Sequence, residues 1–167
     1  MEDMIITPEE FEALLECFED PCDAIDYARK SFQDNLMEAK DQFHPMLIVL
    51  DYMIVLLKQR QTLKGLAFLE GCKCDCEQSP ENRIRIAVRG DVWHEYIDQL
   101  LLCRKWAQAE KESIKAFDWM KEHSDIFPEY YSPHLKIRKA YAKALRMRRK
   151  YKEAKMQEEI IAEFEVD

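Results

Sequence analysis

One spaced pattern constrains this chain more than its composition does. Tyr52, Leu56, Arg60 and Gly65 recur as Tyr96, Leu100, Arg104 and Ala109, and again as Tyr141, Leu145, Arg149 and Ala154, at intervals of 44 and 45 residues. Within a copy, the spacing of the first three residues follows one helix face into a turn, and the small residue falls where a second helix crosses the first. Helical units of this kind cannot bury their apolar faces alone, so a recurring unit implies stacking. A weaker copy, Phe11, Leu15 and Ala24, lies 41 residues upstream and opens the array.

The expected fold class is therefore all-α: antiparallel helical hairpins stacked as a short solenoid, with a single-core helical bundle as the alternative. The 167 residues suit one all-helical domain, 1–167. An apolar fraction of 47 % excludes a disordered chain, and three glycines are too few for an all-β fold built on tight turns. The longest apolar run, Met46 to Leu57, is interrupted by Asp51 and falls short of the ~20 residues of a membrane span, so it reads as a buried helix. The first 26 residues hold ten acidic side chains and no lysine or arginine, the wrong charge for a signal or transit peptide, so the cytoplasm is the expected location.

Prolines mark helix starts. Thr7-Pro8-Glu9-Glu10, Asp20-Pro21-Cys22-Asp23, Ser79-Pro80-Glu81-Asn82 and Ser132-Pro133 each pair an oxygen-bearing cap with a proline whose missing amide costs nothing in the first turn; His44-Pro45 is a weaker instance. Helices are predicted at 8–19, 21–42, 45–60, 62–72, 80–103, 105–123, 133–149 and 150–164, giving hairpins 8–42, 45–72, 80–123 and 133–164. The segments 71–78 and 124–131 are expected as loops.

The turn from Leu145 through Arg149-Lys150-Tyr151-Lys152-Glu153-Ala154 resembles the turn between the two helices of a tetratricopeptide repeat. Trp106-Ala107-Gln108-Ala109 fits the same slot, preceded by Trp93, Tyr96, Ile97 and Leu100 on the first helix, while the Tyr52 copy has Thr62 in the aromatic position. The repeat is longer than the family's ~34 residues and lacks its closing proline. The likeness covers half the chain and implies a tetratricopeptide-like solenoid whose first helices line a concave groove.

Charge is the second informative feature, because the net of −8 hides two opposed regions. Ten lysines and arginines lie between His134 and Lys155 against the single Glu153. Among them Lys136, Lys139, Lys143 and Arg146 share one helix stripe, where like charges repel. The resemblance places that stripe on the groove as a basic wall able to clamp carboxylates, since charge-assisted hydrogen bonds are the strong ones. The matching faces of the earlier copies carry Asp91, His94, Glu95 and Asp98, then Leu47, Leu50, Asp51, Ile54 and Lys58. These four basic residues are thus the candidate peptide-binding site, with a protein or peptide partner that is acidic and partly apolar.

Two other uses compete. Nucleic acid would meet the ten cations, with Tyr130, Tyr131, Tyr141 and Tyr151 to stack on bases, but 33 acidic residues oppose it. Oppositely charged ends could assemble copies head to tail. No membrane partner is expected.

Cys72, Cys74 and Cys76 form a C-x-C-x-C run in the expected loop, weak candidates for a soft metal with Cys17, Cys22, Cys103 or His94 completing a shell. No second pair has zinc-site spacing, and reduced thiols are the simpler reading. Cys22, just after a proline at a helix start, sits where the helix dipole lowers a thiol pKa. No cofactor is expected, and catalysis lacks a constellation. The four histidines form no H-E-x-x-H motif, and neither glycine-rich phosphate loop occurs.

Overall fold

The structure is a computed structural model that describes residues 8–19, 21–38, 40–128 and 132–165. Among the described residues there are eight helices and no strand: α1 Pro8–Glu16, α2 Pro21–Glu38, α3 Phe43–Lys58, α4 Thr62–Gln78, α5 Arg83–Leu102, α6 Trp106–Glu122, α7 Ser132–Met147 and α8 Tyr151–Glu165. None of these helices is long and apolar enough to cross a membrane. The chain divides into two compact units, Met1–Val92 and Trp93–Asp167, and the division falls within α5.

The recurring sequence pattern is a recurring turn. Arg60, Arg104 and Arg149 adopt left-handed backbone, with φ of 58°, 59° and 63°. In each turn the arginine N–H bonds back three residues, to Leu57, Leu101 or Arg146, and the next N–H bonds back five, to the carbonyl of Leu56, Leu100 or Leu145. This is the Schellman closure of a helix, which satisfies carbonyls that the helix end would otherwise leave bare. Glycine usually occupies the left-handed position, because a side chain there costs about 1 kcal/mol or more; arginine stands there three times. The carbonyls of Gln61, Lys105 and Lys150 then accept the N–H of Gly65, Ala109 and Ala154, starting the second helix. Those three small residues are buried, each at the fourth position of its helix, and Ala24 holds the same place in α2.

In the first unit, α3 and α4 fold against each other, α2 packs on both, and α1 packs on α3. Ala28, Phe32 and Leu36 form the buried stripe of α2, and meet a core of Val49, Tyr52, Val55 and Leu56 from α3 and Phe68, Leu69 and Cys72 from α4. Tyr52 meets Phe68 edge to face, with ring centroids 4.6 Å apart, a geometry that suits the ring quadrupoles. Burial pushes the Tyr52 phenol up to about 12.

A polar clamp locks α2 to α4. Arg29 donates from Nε and Nη2 to the two oxygens of Asp75 at 3.0 and 2.9 Å, and Gln33 donates to the same carboxylate at 3.0 Å. That hydrogen bond to Asp75 raises the arginine pKa further. The Arg29 guanidinium lies where a Cβ on Gly71 would stand. Glycine in mid-helix, normally a cost of ~1 kcal/mol, is here the gap through which the clamp passes. Arg85, in the first turn of α5, caps α2 by donating to the carbonyls of Leu36 and Met37 at 3.1 and 2.9 Å.

Several expectations change in this unit, where α1 and α2 also end earlier than expected, at Glu16 and Glu38. The segment 71–78 is helix, because α4 continues to Gln78: Gly71 is held by the clamp, and Cys72 and Cys76, one turn apart, are both buried on the core side. The fifth helix starts at Arg83, where the Asn82 side chain accepts the Arg85 N–H at 2.8 Å, and not at Pro80. Ser79 instead ends α4, its hydroxyl donating to the Asp75 carbonyl at 2.6 Å. Helix α3 is not buried all round: Phe43, Leu50, Ile54 and Leu57 are exposed. It also begins two residues early, since Asp41, not His44, receives the N–H groups of Phe43 and His44.

The second unit holds its helices with aromatics and charge. Trp93, Tyr96, Ile97 and Leu100 are buried, and two hydrogen bonds tie α5 to α6: the Trp93 indole donates to Glu112 at 2.9 Å and Gln108 donates to the Tyr96 hydroxyl at 3.0 Å. Trp119 packs on Trp93 and on Phe127, which follows α6. Helix α7 packs on both α6 and α8. Phe117 of α6 meets Tyr141 edge-on, and the Arg138 guanidinium sits 5.0 Å from the same ring. At the α7 to α8 turn, Arg148 and Lys150 both bond to Glu110, the lysine at 2.7 Å. Burial pushes the Glu110 carboxyl up, but the hydrogen bonds from Lys150 and Arg148 outweigh it and leave the pKa below the ordinary 4.5.

Candidate groove on the second unit

The four basic stripe residues are all exposed on α7, and their surroundings divide them into two pairs. Arg146 makes a two-pronged contact with Glu158 of α8, at 2.6 and 2.7 Å. Lys139 pairs with Glu165 near the end of α8. The repulsion expected along the stripe is thus offset by α8, whose carboxylates lie too far along the chain for a periodicity argument to pair them.

Lys136 and Lys143 sit a small rotation away, and with Lys139 they face α5 across a groove of about 490 Å³. Its opposite wall is His94, Asp98, Leu101 and Leu102, and Ala140 lies between the lysines. Among the described residues no carboxylate lies within ion-pair distance of Lys136 or Lys143. The small side chain of Ala140 leaves room for the hollow.

His94 is mostly buried, with Nε2 3.0 Å from Asp98 and Nδ1 3.7 Å from Glu95. Burial pushes the imidazole pKa down, but Asp98 and Glu95 more than reverse that and raise it to about 9. The ring is therefore charged at neutral pH. The groove carries three lysines and an imidazolium against Asp98, over a floor of leucine and alanine carbon. Such a site can hold carboxylate oxygens by charge-assisted hydrogen bonds while covering a small apolar side chain.

Sequence spacing identified the lysines and the His94 and Asp98 face, but it could not rank the four cations. The missed participants are Leu101 and Leu102, whose only signal was an apolar pair at the end of a helix.

The cysteines do not converge. Cys72 and Cys76 are buried and Cys74 is exposed on another side of α4. Burial drives the Cys72 thiol well above its ordinary value and pushes Cys76 up to about 12, the opposite of what a metal ligand or nucleophile needs. Among the described residues no group of three or more His, Cys, Asp and Glu side chains is placed to hold a metal ion. The caps expected from Thr7 and Asp20, the side chains of Phe11, Leu15, Cys22, Ser132 and Pro133, and Tyr130 and Tyr131 lie outside the described residues. No protein-family model, curated protein or solved structure matches the chain.

Proposed function

We propose that this chain is a tetratricopeptide-like helical-repeat module that acts without catalysis, capturing an acidic, partly apolar peptide segment of a partner protein in the groove between α5 and α7. The observation that carries this reading is the set of exposed lysines, Lys136, Lys139 and Lys143, gathered with His94 over Leu101, Leu102 and Ala140. The repeated left-handed arginine turns support the hairpin array.

The division of labour follows from magnitudes. Covering the leucines at ~25 cal/mol per Å² supplies affinity, while exposed cations are worth ~1 kcal/mol or less each and set register, selectivity and on-rate. Asp98 refuses a carboxylate at its end of the groove and favours a peptide N–H or a cationic side chain there. A short peptide in so open a site should bind with a Kd on the order of micromolar.

The test is fluorescence anisotropy with labelled peptides that alternate Glu or Asp with Leu or Phe, against wild type and a folded Lys136→Glu, Lys143→Glu double variant. Saturable binding weakened at least tenfold by the variant supports the groove. Equal binding by both proteins, or none by either, overturns it. A single-stranded oligonucleotide run in parallel, gaining affinity steeply as salt falls, would instead point to nucleic acid.

A further inference from the structure

The first unit carries a surface of different character. Along α3, Phe43, Leu47, Leu50, Ile54 and Leu57 follow one another at alternating spacings of four and three, the seam of a heptad helix that has a partner. Among the described residues nothing covers the seam: Phe43 is 56 % exposed, Leu50 41 %, Ile54 45 % and Leu57 60 %, with Leu47 half-buried. A contiguous row of large exposed apolar side chains on a folded domain marks an interaction surface.

The flanks of the seam say what covers it. On one side stand Met46 and Met53, both half-buried, whose flexible thioethers adapt to a guest side chain. On the other side lies α1, placed by the 3.3 Å ion pair of Glu12 with Lys58 and by Glu9, whose charge adds to burial in raising the Asp51 pKa. Glu9, Glu12 and Glu16 follow one face of α1, and Lys58 is already matched by Glu12. The rim is therefore acidic on one side and soft and apolar on the other.

We infer that the α3 seam is a docking surface for an amphipathic helix of a partner protein, apolar along one stripe and bearing lysine or arginine beside it. The helix-in-groove mode needs apolar anchors at this spacing, and the acidic α1 selects the cations. From Phe43 to Leu57 the seam is ~21 Å long at ~1.5 Å per residue, which fits a guest of about four turns. A second copy fits poorly: an antiparallel two-fold contact through α3 would bring two acidic α1 rims together, and a parallel one would set each acidic rim beside Met46 and Met53, which carry no cation to match it. This surface is separate in residues and in ligand charge from the α5 to α7 groove.

The test uses the full chain and three labelled 18-residue peptides. The first has Leu and Ile at seam positions and Lys on the flanks, the second has the same seam with Glu flanks, and the third keeps the Lys flanks with Ser at the seam. We expect saturable binding of the first, at least tenfold weaker binding of the other two, and at least a tenfold loss in a Leu50→Ser, Leu57→Ser variant. Both substituted leucines are exposed, so the variant should fold, which circular dichroism checks. The Lys136→Glu, Lys143→Glu variant should bind the first peptide as wild type does. Equal affinity for Lys-flanked and Glu-flanked peptides, no saturable binding, or binding insensitive to the seam variant overturns the inference. So does sedimentation showing a wild-type dimer that the seam variant returns to monomer, which would assign the surface to a second copy.

Discussion

The two units close their hairpins with one turn and hold their helices together by different means. In the first, a buried Tyr52–Phe68 contact and the Arg29–Asp75 clamp join α2, α3 and α4, and the face of α3 left over is apolar. In the second, indole and phenyl rings join α5, α6 and α7, Glu110 draws Arg148 and Lys150 onto α6, and the faces left over are charged. A turn set by backbone hydrogen bonds tolerates either arrangement, because it places helices without dictating what their outer faces carry. One repeat can therefore present surfaces of opposite preference.

The sharpest way to break the comparison is the core. Phe68→Ala should cost about 3–5 kcal/mol, with amide exchange accelerating through α2, α3 and α4. If exchange there stayed at the wild-type rate, the ring contact would not be what unites the first unit.

Next comes charge in the second unit. Glu110→Ala should lose about 2 kcal/mol, the scale of hydrogen bonds to a charged group, by urea denaturation at pH 7. The pKa of Glu110 is lowered on folding, so its contribution is complete above the ordinary carboxylate range and fades as pH falls through the folded value. Wild type and Glu110→Ala should thus converge in acid. A constant gap down to pH 3 would show that packing, not charge, is lost in the variant.

The clamp calls for a double-mutant cycle. Gly71→Ala should cost about 1 kcal/mol in wild type, because the new methyl displaces the Arg29 guanidinium, yet stabilise an Arg29→Ala background by a few tenths to ~1 kcal/mol, the helical preference of alanine over glycine. The same sign in both backgrounds would separate Gly71 from the clamp.

The smallest effect tests what the units share. Arg104→Gly, and separately Arg60→Gly, should each raise stability by about 0.5–1 kcal/mol, since glycine enters left-handed backbone without the Cβ penalty. Similar gains at both sites would confirm one turn in two settings. A loss at either would mean that the arginine side chain does more there than occupy the position.

Much of this was legible in the residues. The Leu–Arg–small spacing located all three turns, because a Schellman closure and a close helix crossing are local demands that only certain residues meet at fixed offsets. The all-α class followed from helical periodicity and scarce glycine. The Cys72–Cys76 run reads as a loop because Gly71 looks like a breaker, and only the distant Arg29 explains its place inside a helix. Ser79-Pro80 reads as the start of α5 because a serine followed by proline is a common helix-start signal. The choice fell to Asn82, which caps α5 directly through the Arg85 N–H, while Ser79 was taken up as the end of α4.

In the candidate groove, the stripe was visible and the ranking of its members was not. Offsets along one helix put Lys136, Lys139, Lys143 and Arg146 on a common side, yet Glu158 and Glu165 decide which of them are matched, and that depends on how α8 folds back on α7. The exposure of the α3 seam is of the same kind, since an apolar run reads as buried until its neighbours prove to cover only one side. The sequence by itself determined where the helices turn, because those instructions act over a few residues of backbone. Only the tertiary structure decided which faces meet water and which charges are matched, because burial and ion pairing depend on side chains that the chain separates by tens of residues.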